Sequence, residues 1–173
     1  MKLIKSEVRD SCLYLTNENK CNWVRSFKDK VNIYVTCIKI KGLVNNIGSG
    51  NITSLDTLYT DYFQLDDFDG SGIINLKLVA NTSWFNLHTG PADLVVNGRS
   101  GLSYLYSVGN GSADLKNFPS NGYYITNNST NNCYVNVQKE LDVKIGYIGN
   151  IYYSGSPYKI TTNITGSGKL IKN

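Results

Sequence analysis

The sequence is poor in charge, in proline and in long apolar runs. Charged residues make up 17% of its 173 residues, the net charge is +4 at pH 7, and only 3 residues are proline. No run of lysine and arginine forms a basic patch, so we expect no nucleic-acid partner. No stretch approaches the roughly eighteen apolar residues of a membrane-spanning helix. The opening segment MKLIKSEVRD has no apolar core, so we expect no signal peptide in this chain.

The sequence also lacks the motifs of metal-dependent and nucleophilic catalysis. Its four cysteines (Cys12, Cys21, Cys37 and Cys133) show no C-x-x-C spacing, and His88 is the single histidine. No standard zinc pattern fits these residues, and neither G-x-S-x-G nor a phosphate-binding loop is present. We expect no cofactor and no metal. Cys12 and Cys21 could pair in an exported protein; otherwise all four cysteines act as small hydrophobic residues.

Glycine and tyrosine are abundant instead. The chain has 16 glycines and 13 tyrosines, a composition that favours strands joined by tight turns. A short glycine phrase recurs as GSGNI (Gly48–Ile52), GSGII (Gly70–Ile74) and GSGKL (Gly166–Leu170), and TGPADLVV and NGSADLKN are near-twins between them. An aliphatic residue follows each phrase at steps of 16 to 22 residues. These residues are Ile52, Ile74, Leu94, Leu115, Val135, Ile151 and Leu170.

A second series runs in phase with the first, namely Phe63, Phe85, Leu105 and Ile125. The competing interpretation is a β-sandwich, which also has short, regularly spaced strands. A β-sandwich does not require alternate strands along the chain to resemble one another in sequence. Self-similarity at about twenty residues is typical of a solenoid, in which like residues stack on successive coils. We therefore predict an all-β fold, a parallel β-helix of about six coils with the glycine phrases at its corners.

The N-terminal part of the chain does not share this period. Residues 6–42 read as alternating strands, CLYL and VNIYVTCIKI, joined by a polar turn region. Solenoids commonly end in an atypical segment that covers the terminal coil. We expect a single domain over residues 1–173, with an N-terminal strand cap over residues 1–45 and repeat coils over residues 46–173.

Two blocks resemble a known family. The block ENKCNWVRS (Glu18–Ser26) and the closing stretch GNIYYSGSPYKITTNITGSGK resemble the head GIN domain family, described as putative autotransporter adhesins and widespread in Bacteroidetes. The likeness covers nearly the whole chain. It implies a β-solenoid-like fold, an exported, periplasmic or cell-surface location, and no established biochemical activity. Because the opening segment has no apolar core, we expect the chain to depart from the family in lacking an export signal.

Two acidic groups are candidates for chemistry. DFDGSGIIN (Asp67–Asn75) places Asp67 and Asp69 as in a calcium loop, but Leu78 stands where the bidentate glutamate belongs. We regard these two residues as weak metal candidates beside an acidic, solvated turn. Asp93 and Asp114 share one repeat position, which predicts that they are neighbours on adjacent coils, about 4.8 Å apart at the backbone. Such a pair could serve a polysaccharide-active β-helix, although no third acid completes the site.

Aromatic residues give the most informative site signal. One residue before each member of the Phe63 series stand Tyr62, Trp84, Tyr104 and Tyr124. Adjacent strand residues point to opposite faces, so this aromatic stripe should point outward if the Phe63 series points inward. It could bind a glycan or a protein. Alternatively, the N-terminal segment packs on it, or the rings only stabilise the coils.

The most consistent function is a non-catalytic, adhesin-like interaction module at the cell surface. The alternatives are a polysaccharide-active β-helix enzyme and a structural domain without a ligand. The sequence specifies neither an oligomeric state nor a ligand.

Overall fold

Alternation of apolar and polar residues organises the repeat region into long strands. The computed structural model describes residues 4–18 and 31–173, and these form strands without any helix. The strands are β1 Ile4–Arg9, β2 Cys12–Asn17, β3 Gly42–Asn46, β4 Ile52–Thr53, β5 Leu58–Phe68, β6 Ile73–Leu87, β7 Asp93–Ser107, β8 Ala113–Asn127, β9 Cys133–Ile145, β10 Ile151–Gly155, β11 Lys159–Ile164 and β12 Leu170–Lys172. Within this described part of the chain, no helix is long and apolar enough to cross a membrane.

The strands from β3 to β12 form one parallel sheet that winds into a solenoid. Each strand pairs in parallel with the strand one coil away, as in β6 with β7 and β8 with β9. The GSG phrases lie at corners, between β3 and β4, β5 and β6, and β11 and β12. The predicted parallel β-solenoid is therefore confirmed, with seven stacked rungs rather than about six.

Two of the inward rows show how the core is built. The first row is Ile52, Ile74, Leu94, Ala113, Cys133, Ile151 and Leu170. The second row is Leu43, Leu65, Phe85, Leu105, Ile125, Val143 and Thr162. Members of the inner rungs are buried almost completely. The expected inward series therefore does line the core, although some members belong to a neighbouring row.

Where a core residue stacks in another row than the repeat predicts, it is displaced by two residues along its strand. Leu115 pairs with Val135 two positions beyond the Ala113–Cys133 pair, and both are buried. Phe63 pairs with Ser83, whereas Leu65 pairs with Phe85. Because strand side chains alternate with a period of two, such a shift changes the stacking partner and leaves the side chain facing inward.

The solenoid interior also contains hydrogen-bonded polar groups. Ser83 Oγ lies 2.9 Å from Ser103 Oγ and donates to Ser100 Oγ at 3.2 Å. The Tyr123 hydroxyl donates to the Phe118 carbonyl at 2.7 Å, which satisfies a buried group that would otherwise destabilise the core. Burial raises the pKa of the Cys133 thiol to about 12, so this cysteine behaves as a small apolar residue.

The N-terminal residues form their own unit. The chain divides into two compact units, Met1–Thr36 and Cys37–Asn173. In the first, β1 and β2 form an antiparallel hairpin whose turn residues Asp10 and Ser11 have φ values of 52° and 61°, the left-handed conformation of favoured hairpin turns. The strand cap over residues 1–45 remains a prediction. Most of the ENKCNWVRS block, including Cys21, lies outside the described residues, so the Cys12–Cys21 pairing remains untested.

Candidate functional site

An elongated groove crosses the outer face of strands β6 to β9. Its cavity of about 370 Å³ lies over the backbone at Leu105 and Ile125. One side of the groove is formed by Trp84, Tyr104, Tyr124 and Asp142. The other side, here called the polar wall, is formed by Asn86, Tyr106, Thr126 and Lys144. Each side takes one residue from each of four successive rungs because the registers of these strands align them.

Three rings on the first side form a continuous stack. The Trp84 and Tyr104 ring centroids are 3.8 Å apart with an interplanar angle of 8°, and Tyr104 and Tyr124 are 5.2 Å apart at 18°. These three residues, here called the ring stack, cover one another's faces and leave their edges and polar atoms accessible. Trp84 and Tyr104 are half-buried and Tyr124 is 39% exposed. The stripe is therefore outward, as expected from its position next to the buried Phe85.

Tyr62 does not join the ring stack. It pairs with Thr82, and Gln64 occupies the position beside Trp84. The Tyr62 hydroxyl donates to Gln64 Oε1 at 2.6 Å. Of the four aromatic residues predicted to form the stripe, the structure thus brings three together and places Tyr62 at the margin, two residues away.

A hydrogen-bonded network around Asp66 borders the groove. Gln64 Nε2 and Asn86 Nδ2 donate to the Asp66 carboxylate at 2.7 and 2.9 Å, and His88 Nε2 lies 3.2 Å from it. Burial alone would raise the pKa of Asp66, but hydrogen bonds from Asn86, His88 and Gln64 outweigh it and hold this pKa below its ordinary value. The His88 ring stacks on Phe68 with centroids 4.2 Å apart. The network fixes Asn86, a member of the polar wall, in one orientation.

The column formed by Asp66 and the polar wall could be predicted from the sequence only in part. Asn86, Tyr106 and Thr126 stand two residues beyond the aromatic positions, so alternation alone predicts that they face outward. Asp66 and Lys144 complete the same column only through the observed register. No sequence signal identifies these two partners, because the pairing offsets, 20 residues between β5 and β6 and 18 between β8 and β9, are visible only in the structure.

The two weak metal candidates lie in different environments. Asp67 is buried and accepts a hydrogen bond from Asn45 Nδ2 at 2.6 Å. Asp69 is exposed, and its backbone N–H donates to Thr89 Oγ1 at 3.2 Å. Among residues 4–18 and 31–173, no group of three or more histidine, cysteine, aspartate or glutamate side chains is arranged to hold a metal ion.

Asp67 is expected to lower stability as its carboxyl ionises. Burial raises the pKa of Asp67 above its ordinary value of 3.8, and the Asn45 hydrogen bond opposes this only in part. A raised pKa in the folded state favours folding below the ordinary pKa, and this contribution is lost as the pH rises through the raised value. As the pH rises from about 3 to about 7, the free energy of unfolding of Asp67→Asn should therefore increase relative to that of the parent. Urea unfolding at these two pH values measures the difference. An equal or opposite trend would contradict this account. Asp56→Asn, at an exposed position before β5, is the control, because the charge of Asp69 itself helps to raise the pKa of Asp67.

The predicted pairing of Asp93 with Asp114 is wrong. Asp114 pairs with Val95 on the neighbouring rung, not with Asp93. Asp93 instead accepts hydrogen bonds from the Ser112 backbone N–H at 2.8 Å and hydroxyl at 2.7 Å. Asp114 lies 3.0 Å from Lys116 Nζ. The physical reason is that Leu94 pairs with Ala113 rather than Leu115, so β8 is displaced by two residues from the register that the repeat suggested.

Comparison with known proteins agrees with this architecture. The model of a family described as "Putative auto-transporter adhesin, head GIN domain" matches residues 1–157. The structure is similar to the crystal structure of a putative adhesin from Bacteroides fragilis NCTC 9343, with a TM-score of 0.91 and 24% sequence identity over 99% of this chain and 77% of that chain. At this identity the likeness shows the fold. No curated protein matches the chain.

Proposed function

The chain belongs to the head GIN domain family, and from this premise we propose that it is an adhesin-like, non-catalytic module that binds its partner at the cell surface through the groove. The binding residues in this proposal are the ring stack, Trp84, Tyr104 and Tyr124, with Tyr62 at the margin. The exported or cell-surface location rests on the adhesin family.

The observation that carries the proposal is the ring stack beside an open cavity. Three large aromatic residues form one outward column, although outward positions of a solenoid can be filled by small polar residues at no cost to the core. Stacked aromatic pairs contribute about 0.5–1.5 kcal/mol beyond their burial, which is a modest gain for stability. Aromatic residues that remain partly exposed beside a cavity are typical of binding surfaces.

The positions of the acidic residues support the non-catalytic part of the proposal. Acid–base cleavage of a glycosidic bond requires two carboxyl groups that face one scissile bond. Asp93 and Asp114, the pair suggested by the repeat, are held instead by Ser112 and Lys116. The ring stack adjoins Asp142, whose partner across the groove is the cationic Lys144. Glu140, the acid two residues before Asp142 on the same face, accepts a hydrogen bond from the Tyr158 hydroxyl and lies 3.8 Å from Lys159 Nζ.

Removing a ring from the stack is expected to abolish adhesion. In plate assays with immobilised mucin, collagen and a neutral linear polysaccharide as probes, the parent should bind at least one surface, and Tyr104→Ala should reduce binding by about tenfold or more, since it removes the central ring. The matched control is Tyr152→Ala, which removes an outward ring from a different stack, the Tyr134–Tyr152 pair at 5.0 Å. Equal losses in both variants, or no binding by the parent to any of the three probes, would contradict the proposal. Thermal melts of both variants show whether either loss follows from unfolding.

A further inference from the structure

We propose that the ligand of the groove is a linear, uncharged oligosaccharide that lies along the solenoid axis and crosses strands β6 to β9. This inference rests on the proposed function and names the class of molecule that the groove binds.

The direction of the groove selects an elongated ligand. Its two sides each extend over four rungs, from Trp84 to Asp142 and from Asn86 to Lys144. With a rung spacing of about 4.8 Å, each side is about 14 Å long. A cavity of about 370 Å³ spread over that length accommodates a narrow chain better than one compact ring system.

The backbone beneath the groove argues against an extended peptide. Peptides commonly bind sheets by pairing with a free strand edge. Here the strands under the groove are interior strands, and their backbone groups pair with the rungs on either side. The ligand can therefore bond only to side chains, which suits a molecule whose polar groups are hydroxyl and ether oxygens.

The ring stack presents the part of an aromatic ring that attracts oxygen. Because the rings stack on one another at interplanar angles of 8° and 18°, their faces are largely unavailable to a ligand. An aromatic ring is negative on its face and positive at its edge, so the accessible edges favour electron-rich oxygens. The indole N–H of Trp84 and the hydroxyls of Tyr104 and Tyr124 add conventional donors on the same side.

The polar wall supplies the complementary groups. Asn86 donates one N–H to Asp66, which leaves its carbonyl oxygen and its second N–H for a ligand. The Tyr106 and Thr126 hydroxyls can each donate and accept. Sugar hydroxyls also do both, so the mixed set of side-chain groups fits a sugar chain along its length.

The charges in the groove cancel. Asp142 and Lys144, two residues apart on β9, are the only charged side chains among the described residues that line the cavity. At its borders, the Asp66 carboxylate is held by Asn86 and His88, and Glu140 lies beside Lys159. A polyanionic sugar would meet Asp142 unfavourably, and a polycationic one would meet Lys144. The ligand is therefore uncharged, and its binding should depend little on salt because no net charge is neutralised.

The test is calorimetric titration with linear gluco-, xylo- and manno-oligosaccharides from monosaccharide to hexasaccharide. Affinity for at least one series should rise with chain length and level off once the groove is filled. It should change less than about twofold between about 0.05 and 0.3 M NaCl. Polygalacturonate oligomers are the anionic comparison, and their affinity should stay below that of the best uncharged series, in the parent and in Lys144→Gln.

Thr126→Val tests the polar wall without removing the ring stack. It removes one hydroxyl with little change in shape, and should lower oligosaccharide affinity by about five- to tenfold, the effect of about one hydrogen bond. Thr53→Val, at an exposed position on β4, is the matched control and should have no effect.

Three outcomes overturn the inference: no uncharged oligosaccharide binds, affinity is greatest for the anionic oligomers and is lost in Lys144→Gln, or Thr126→Val equals the parent. If adhesion is still lost in Tyr104→Ala, the adhesive function stands in every case. The first two outcomes then show that the ligand class is wrong, and the third shows that the polar wall does not bind the oligosaccharide.

Discussion

Replacing Phe85 with alanine is expected to lower the free energy of unfolding by about 3–5 kcal/mol, as for other buried aromatic residues. Phe85 is completely buried, with its ring 6.5 Å from the Phe63 ring and 5.8 Å from the Phe118 ring, the latter in an edge-on arrangement. The rungs above and below are fixed by parallel pairing, so the surrounding structure can collapse only partly into the space left by the ring. Urea unfolding at equilibrium measures the loss.

The control for Phe85→Ala is Phe68→Ala. Phe68 is 40% exposed and stacks on His88 at the outer surface, so its removal should cost only about 0.5–1.5 kcal/mol, the value of an aromatic contact. Trp84→Ala, one residue before Phe85 but on the opposite face, should resemble Phe68→Ala. If Phe85→Ala loses no more free energy of unfolding than the two surface variants, the inward position of Phe85 is contradicted.

The inward or outward direction of these side chains could be predicted from the sequence. Strand side chains alternate with a period of two, so the assignment of Phe85 to the core required Trp84 to point outward. The glycine phrases and the aliphatic series likewise identified the solenoid, because stacked coils place similar residues at an interval of about twenty residues. Family resemblance added the adhesin-like role but no binding residue.

The stacking partners could not be predicted, because a shift of two residues leaves every side chain on the same face. Thr53 pairs with Asn75 and Leu58 with Leu78. Between these two pairs, the chain advances five residues on the first rung, from 53 to 58, but only three on the second, from 75 to 78. Two extra residues in this loop displace Tyr62 from the ring stack and bring Gln64 beside Trp84. A constant repeat step across this loop predicts that Phe63 pairs with Phe85, and no local sequence signal contradicts that step.

A similar irregularity explains the misplaced carboxylates. Val95 pairs with Asp114, but the next pair between β7 and β8 is Ser100 with Ser120, so β8 has one residue more than β7 in this interval. The bulge allows Phe118 to enter the core beside Phe85. The near-twin phrases TGPADLVV and NGSADLKN suggested equal positions for Asp93 and Asp114, whereas pairing is decided by how the whole strand packs. Local similarity therefore predicted the coil and not its register.

Replacing Gly98 with alanine is expected to destabilise the protein by two separate effects. Gly98 has a φ of 123°, a conformation that costs a residue with a side chain about 1–3 kcal/mol. A Cβ atom at this position would also collide with the carbonyl oxygen of Leu78 on the neighbouring rung. Because that oxygen belongs to the paired backbone of β6, it can move only with its rung, which adds about 1–3 kcal/mol of overpacking.

Gly50→Ala separates the two effects of the Gly98 substitution. Gly50 has a comparable φ of 147°, but a Cβ atom there would meet nothing within 4 Å. Its replacement should therefore cost only the backbone strain, and the difference between the two variants, measured by urea unfolding, gives the cost of forcing two rungs apart. Equal losses would mean that the rungs at Gly98 can separate without penalty. A larger loss at Gly98 would show that close backbone approach, and not conformational freedom alone, requires glycine within this strand.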